Sequence, residues 1–212
     1  MPLALFDLDG TLIDQAKAAA RWAREFGEQR ELRSDQIAYL AAALGERRSK
    51  ADVFEDVVDT FALSDDPIRL REAYRRRMPR FVTCPDGALE ALAAMRSAGW
   101  TIGIVTNGEV DNQEGKILRT GLGDAVDGWV ISAEAGVRKP DPAIFALAAR
   151  RLGAPLRGWM IGDGLESDVL GGAAAGLETA WIADDPTGDL GTVATITAAD
   201  VPTAITRILA SS

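Results

Sequence analysis

Five short apolar runs recur along the chain: Leu3 to Leu8, Thr101 to Val105, Gly128 to Ile131, Gly158 to Ile161 and Glu178 to Ile182. Each is about strand length and is followed by turn-forming or polar residues. A run that is continuously apolar, rather than alternating, predicts a strand buried on both faces. Helical patterns fill the intervals at Gly87 to Ala98, Asp111 to Thr120, Asp141 to Leu152 and Asp168 to Ala175. Strand alternating with helix predicts an α/β fold, a mostly parallel sheet covered on both sides. A weaker strand near Ala194 to Ile196 and a helix over Pro202 to Leu209 close the chain.

One interval breaks this rhythm. More than ninety residues separate the first run from the second, far beyond an ordinary crossover. Most of that stretch is charged, alanine-rich and helical in pattern, punctuated by Pro67 and Pro79. It predicts a helical domain over 15–82, inserted between the 1–14 and 83–212 parts of the α/β core. The charges divide at the same place. Residues 15–82 carry 14 Lys+Arg and 12 Asp+Glu, a net of +2, and the remainder carries a net of −11. Most of the arginines belong to a solvated helical surface; a mildly basic lid over an acidic core is the functional alternative.

Composition narrows the chemistry. The chain has 212 residues and no histidine, which excludes a serine–histidine triad and any histidine-ligated metal. Its single cysteine, Cys84, excludes a disulfide framework and a cysteine zinc site. Acid–base work must fall to carboxylates, lysines or tyrosines. A net charge of −9 argues against nucleic acid and anionic membrane surfaces as partners. No apolar run approaches the roughly 20 residues of a membrane span. The first residues meet acid at Asp7 without a basic region, unlike a signal peptide. A cytoplasmic location is expected.

In open parallel sheets, ligands bind beyond the carboxyl ends of the strands. Asp7-Leu8-Asp9-Gly10-Thr11 follows the first strand, Thr106-Asn107-Gly108 the second and Gly162-Asp163-Gly164 the fourth, with Asp168 soon after. Lys139-Pro140-Asp141 precedes the helix after the third. Asp7 and Asp9 are two apart, so an extended segment turns both carboxylates to one side. Converging carboxylates repel unless a cation joins them, and hard oxygen donors without histidine or sulfur select magnesium over zinc. A lysine facing the metal would complete an anion clamp suited to phosphoryl transfer. Singly these residues have plainer readings. Asp-Gly is a common turn, Asp14 a helix cap, and Asp168 either a cap for the following helix or a metal ligand. Their shared placement at strand ends favours a site.

These segments resemble the four motifs of the haloacid dehalogenase-like (HAD) hydrolase superfamily. Phe6-Asp7-Leu8-Asp9-Gly10-Thr11-Leu12 resembles the first, Val105-Thr106-Asn107-Gly108 the second, Arg138-Lys139-Pro140-Asp141-Pro142 the third and Gly162 to Asp168 the fourth. The helical insertion resembles the family's C1 cap. The resemblance implies a Rossmann-like sheet of order 3-2-1-4-5. It implies Asp7 as a nucleophile that takes up the phosphoryl group, and Asp9 as the acid that protonates the leaving alcohol and then activates water. Thr106 and the backbone amide of Asn107 would bind phosphate oxygens, and Lys139 would offset charge. Mg2+ would be held by the Asp7 carboxylate, the Asp9 backbone carbonyl and Asp163, with Asp168 as ligand or support. Gly164 stands where relatives often carry serine or threonine.

Asp9 sets the expected branch, because dehalogenases and phosphonoacetaldehyde hydrolases lack an aspartate there. The implied activity is a Mg-dependent phosphatase acting on a small phosphorylated metabolite. A phosphosugar mutase, or a non-catalytic HAD-fold binding protein, are the alternatives. Cys84 reads as a structural thiol and Trp22 as packing within the helical insertion. Arg75, Arg76 and Arg77 spread around a helix. Arg21, Arg24, Arg47, Arg48 and Lys50 are the candidates for substrate choice.

Overall fold

A computed structural model describes residues 1–46, 48–183 and 193–211. The chain divides into two compact units, Met1–Ile13 with Cys84–Ser212, and Asp14–Thr83.

The first unit is built on a six-stranded sheet of order β3-β2-β1-β4-β5-β6. Its strands are β1 (Leu3–Phe6), β2 (Thr101–Thr106), β3 (Gly128–Ile131), β4 (Gly158–Gly162), β5 (Glu178–Ile182) and β6 (Ile196–Ala198), all paired in parallel. The central strand is apolar throughout because both its faces are covered: Leu3, Ala4, Leu5 and Phe6 are fully buried. Burying each of the larger side chains contributes about 1.5–3 kcal/mol. Leu3 and Leu5 share one face and meet Ile144 and Phe145 in a common cluster. Gly103 of β2 lets the same layer close up, since a Cβ there would lie 2.5 Å from Leu152 Cδ1.

Register decides where the chemistry falls. Phe6 pairs with Ile104 and with Ile161, so Asp7, Thr106 and Asp163 emerge at one end of three neighbouring strands. The first strand stops at Phe6 rather than Leu8. There the chain folds into a tight loop in which Gly10 N–H donates to the Ile13 carbonyl and Ile13 N–H to that of Leu8, both at 2.9 Å. Leu8, Leu12 and Ile13 are fully buried and anchor that loop.

The second unit packs α1 (Gln15–Gln29), α2 (Ser34–Gly45), α3 (Lys50–Phe61) and α4 (Pro67–Arg77). Asp14 caps α1 through Lys17 N–H at 2.9 Å, as the sequence suggests. Trp22 stacks on Phe26 with centroids 4.8 Å apart and meets Tyr74 edge-on at 5.0 Å, the packing role expected for it.

The remaining helices belong to the core: α5 (Ala88–Ser97), α6 (Val110–Arg119), α7 (Leu122–Ala125), α8 (Ser132–Ala135), α9 (Pro142–Arg151), α10 (Gly171–Ala174) and α11 (Val201–Ala210). The helix expected over Asp168 to Ala175 is instead a π-helical turn, Leu165–Leu170, followed by α10. The sixth strand begins at Ile196, two residues later than its apolar pattern starts. Thr195 and Thr179 exchange side-chain-to-backbone hydrogen bonds of 3.1 and 3.4 Å just before it.

Candidate active site

The residue after β1 is Asp7, and its carboxylate is buried. Lys139, on the loop before α9, donates to Asp7 Oδ1 at 2.6 Å and to Asp168 Oδ1 at 2.6 Å. The lysine is 3% exposed and Asp168 is 1% exposed, so the ammonium is enclosed with its two carboxylates. The other Asp168 oxygen accepts from Gly164 N–H at 2.8 Å. The turn is widened because Val169 N–H as well as Asp168 N–H points to the Gly164 carbonyl, at 3.1 and 2.8 Å. Asp168 is therefore inside its turn rather than a cap before a helix.

Asp163 completes the group. Oxygens of Asp7, Asp163 and Asp168 lie within 4.8 Å of one another. The Asp163 loop is held by Thr11, whose Oγ1 accepts from Asp163 N–H at 3.0 Å and donates to Asp163 Oδ1 at 3.4 Å. The Trp181 indole N–H holds the Asp163 carbonyl at 3.0 Å. Gly10 adopts φ +89°, and a Cβ there would come within 2.8 Å of the Asp163 carboxyl carbon. At Gly164 a Cβ would meet the Ser167 hydroxyl, which occupies the space that a serine or threonine would need.

Asp9 belongs to a second cluster. Lys116 of α6 donates to its Oδ1 at 2.8 Å and Oδ2 at 2.9 Å, and Gln113 Nε2 donates to Oδ2 at 3.0 Å. Gln113 Nε2 also donates to Thr106 Oγ1 at 2.6 Å. The Asn107 side chain is tied to the Lys139 backbone in both directions, at 3.0 Å each way. Asn107 thus links the second and third motif segments through its amide, a contact the sequence did not suggest.

Burial, reinforced by Asp168 and Asp163 and opposed by Lys139, lifts the Asp7 carboxyl from 3.8 to about 8. Burial works to lower Lys139, but Asp7 and Asp168 outweigh it and hold the ammonium above its usual value.

The structure brings Asp7, Lys139, Asp163 and Asp168 into direct contact or close approach, and joins Asp9 to Thr106 through Gln113. Lys116 and Gln113 were missed. Their signal is a pair of polar residues at i and i+3 on the face of α6 that also carries buried Ile117.

Several of the other candidates have local partners. Arg21 donates to the Phe81 carbonyl at 3.3 Å, and Arg48 pairs with Asp56 at 2.9 Å. Lys50 donates to the carbonyls of Leu44 and Glu46 at the end of α2, both at 2.8 Å. Arg24 is exposed, and Arg47 lies outside the described residues. Arg76 pairs with Glu72, and Arg77 with Glu25. Cys84 is half-buried, and burial pushes its thiol up, which suits an inert structural role.

Fold and site together define a parallel α/β protein with acidic strand-end loops, and residues 1–176 match the haloacid dehalogenase-like hydrolase family. The chain belongs to that family. It is 43% identical over 122 residues to the Escherichia coli pyrimidine 5′-nucleotidase YjjG, covering 57% of this chain and 54% of that protein. It is 33% identical over 198 residues to the ribulose-1,5-bisphosphate 5-phosphatase of Halopiger xanaduensis, covering 82% of each. The alignments span about half the length of the first curated relatives, 54%, 57% and 43%. Among solved structures it resembles the HAD-hydrolase YfnB of Bacillus subtilis, described with magnesium bound, with a TM-score of 0.78 at 22% identity, covering 98% of both chains. At that identity the likeness concerns the fold. No helix among the described residues is long and apolar enough to cross a membrane.

Proposed function

We propose that this protein is a magnesium-dependent phosphatase that hydrolyses a small phosphorylated metabolite through an aspartyl-phosphate on Asp7. The observation that carries the reading is the enclosed lysine: Lys139 bridges Asp7 and Asp168 at 2.6 Å each, with an Asp163 oxygen within 4.8 Å of theirs.

Asp7 and Asp168 share one ammonium and Asp163 brings a third carboxyl group beside them, so the cluster has room in its charge balance for a divalent cation. Its donors are all hard oxygens, which fits Mg2+. Asp7, Asp163 and Asp168 would hold the ion together with the Asp9 backbone carbonyl. When bound, the cation would neutralise carboxylate and phosphoryl charge.

The chain's own residues supply the remaining chemistry. The Asp7 carboxylate attacks phosphorus and the bond to the leaving oxygen breaks. Asp9 gives its proton to that oxygen as it departs. Water then attacks the same phosphorus, its proton passes to Asp9, and Asp7 and phosphate are released. Thr106 Oγ1 accepts from Gln113, so its own hydrogen is available to a phosphoryl oxygen, alongside the Asn107 backbone amide. Lys139 offsets the charge gathered on Asp7 and the transferred group. A cap over 15–82 that selects the substrate belongs to the same proposal.

Both curated relatives named above act on small organic phosphates by name, which supports this substrate class. The test is hydrolysis of p-nitrophenyl phosphate with Mg2+ and with EDTA, followed by a panel of metabolite phosphates. Turnover only with the cation is expected. Absence of turnover on the whole panel would point to a binding protein. Phosphate exchanged between a sugar monophosphate and its bisphosphate, without release, would point to a mutase.

A further inference from the structure

Lys116 has no part in the chemistry above, yet it is 2% exposed and holds one of the proposed catalytic side chains. A lysine is seldom buried unless paired, so its place on α6 needs a reason. Among the described residues, every hydrogen bond to the Asp9 carboxylate comes from α6: two from Lys116 and one from Gln113. Gln113 is itself 1% exposed.

The direction of each bond follows from chemistry. Lys116 can only donate, so the Gln113 oxygen must face it, at 3.0 Å. The amide nitrogen must then face Asp9 and Thr106, and Thr106 Oγ1 must accept. One amide therefore ties the Asp9 carboxylate to the Thr106 hydroxyl. Gly108 leaves room for it, because a Cβ there would lie 2.9 Å from both Cγ and Cδ of Gln113.

We propose that Lys116 and Gln113 are positioning residues for this reaction: they aim the Asp9 carboxylate, and Gln113 turns the Thr106 hydroxyl outward as a donor. The inference rests on Asp9 being the acid and base of the proposed phosphatase. Asp9 needs such support because its side chain is 29% exposed and sits on a turning loop, unlike the enclosed Asp7. Misplacing a reacting group by about 1 Å can cost about 10²-fold in rate. An acid matters for a poor leaving group and little for a good one. Lost aim should therefore carry a leaving-group signature that a general structural defect lacks.

The experiment compares Lys116→Met, Asp9→Asn and the double variant with the unmodified enzyme. Single-turnover rates are measured with Mg2+ on an alkyl phosphate and on p-nitrophenyl phosphate, with thermal unfolding to check the fold. Lys116→Met should slow the alkyl step by about 10–10²-fold and the aryl step by less than about threefold. The double variant should be no slower than Asp9→Asn, because Lys116 acts through Asp9. If Lys116→Met does not fold, Gln113→Leu takes its place in the same cycle. It should show the same selectivity at about 3–10-fold, with a raised KM from the misdirected Thr106 hydroxyl. Equal slowing of both substrates, or effects that multiply in the double variant, would overturn the inference while leaving the phosphatase intact. If Asp9→Asn itself shows no leaving-group selectivity, the acid–base role of Asp9 fails, and the positioning role fails with it.

Discussion

Two buried lysines each hold one aspartate of the loop after β1, and they do so in different surroundings. Lys139 lies among carboxylates that are 11% and 1% exposed at the side chain, whereas Lys116 meets Asp9, whose side chain is 29% exposed. The first cluster is sealed and keeps excess negative charge together, which suits a nucleophile awaiting a cation and an anionic group. The second has one side open, which suits a group that trades protons with a leaving group and with water. In the proposed mechanism, two aspartates only two residues apart would take different tasks from the helices and loops that reach them.

The largest effect that would break this contrast concerns the nucleophile. Asp7→Asn should reduce turnover by at least about 10⁴-fold, because nothing else can accept the phosphoryl group. Steady-state assays on protein freed of contaminating phosphatase check it, and near-normal turnover would remove Asp7 from its role.

Next comes the cost of leaving carboxylates alone. In EDTA, Lys139→Met should lower stability by about 3–5 kcal/mol, because Asp7 and Asp168 lose their shared cation in an enclosed place. Lys116→Met should cost less, about 1–3 kcal/mol, since Asp9 can turn to water. Urea unfolding of both variants measures the difference, and equal losses would erase the distinction between sealed and open.

A smaller effect sharpens the contrast through pH. Burial first, then Asp168 and Asp163, lift the Asp7 carboxyl from 3.8 to about 8 in the metal-free protein. Between those values the folded chain keeps a proton that the unfolded chain has lost, so stability falls as pH rises through the window. Asp7→Asn carries no such proton. In EDTA the variant's Tm should gain on the unmodified protein's between about pH 4 and about pH 8. A difference that stays constant across that range would contradict the assignment.

The smallest expected effect tests how Lys139 is held. Asn107→Ala removes both 3.0 Å bonds to the Lys139 backbone and should cost about 1–3 kcal/mol, read by urea unfolding. No measurable loss would show that the sealed cluster holds itself.

The same contrast explains what could be read from the amino-acid pattern. Asp7, Thr106 and Asp163 stand where apolar runs end abruptly, so their strand-end positions follow from periodicity, whereas Lys139 is marked by the Lys-Pro-Asp segment just before α9. Lys116 stands inside a charged amphipathic helix, Val110–Arg119, where a lone lysine ordinarily belongs to a solvated face. Only the tertiary approach of α6 to the Asp9 loop reveals its partner. Asp168 was open between cap and ligand because both readings use the same residue type; its bond to Gly164 N–H is a local backbone event that sequence patterns do not encode. The Asn107 amide was hidden likewise, since its partner is backbone 32 residues away.

The central claim is that the phosphoryl group passes through Asp7. It is tested most directly by trapping that intermediate in Asp9→Asn, whose second step lacks its general base. The variant is mixed with Mg2+ and p-nitrophenyl phosphate, quenched after the phenolate burst, reduced with borohydride and mapped by mass spectrometry. An acyl phosphate on Asp7 is reduced to the alcohol, so homoserine at position 7 is the predicted result. A burst of about one equivalent with homoserine at another aspartate, or with no reduced residue, would contradict the account.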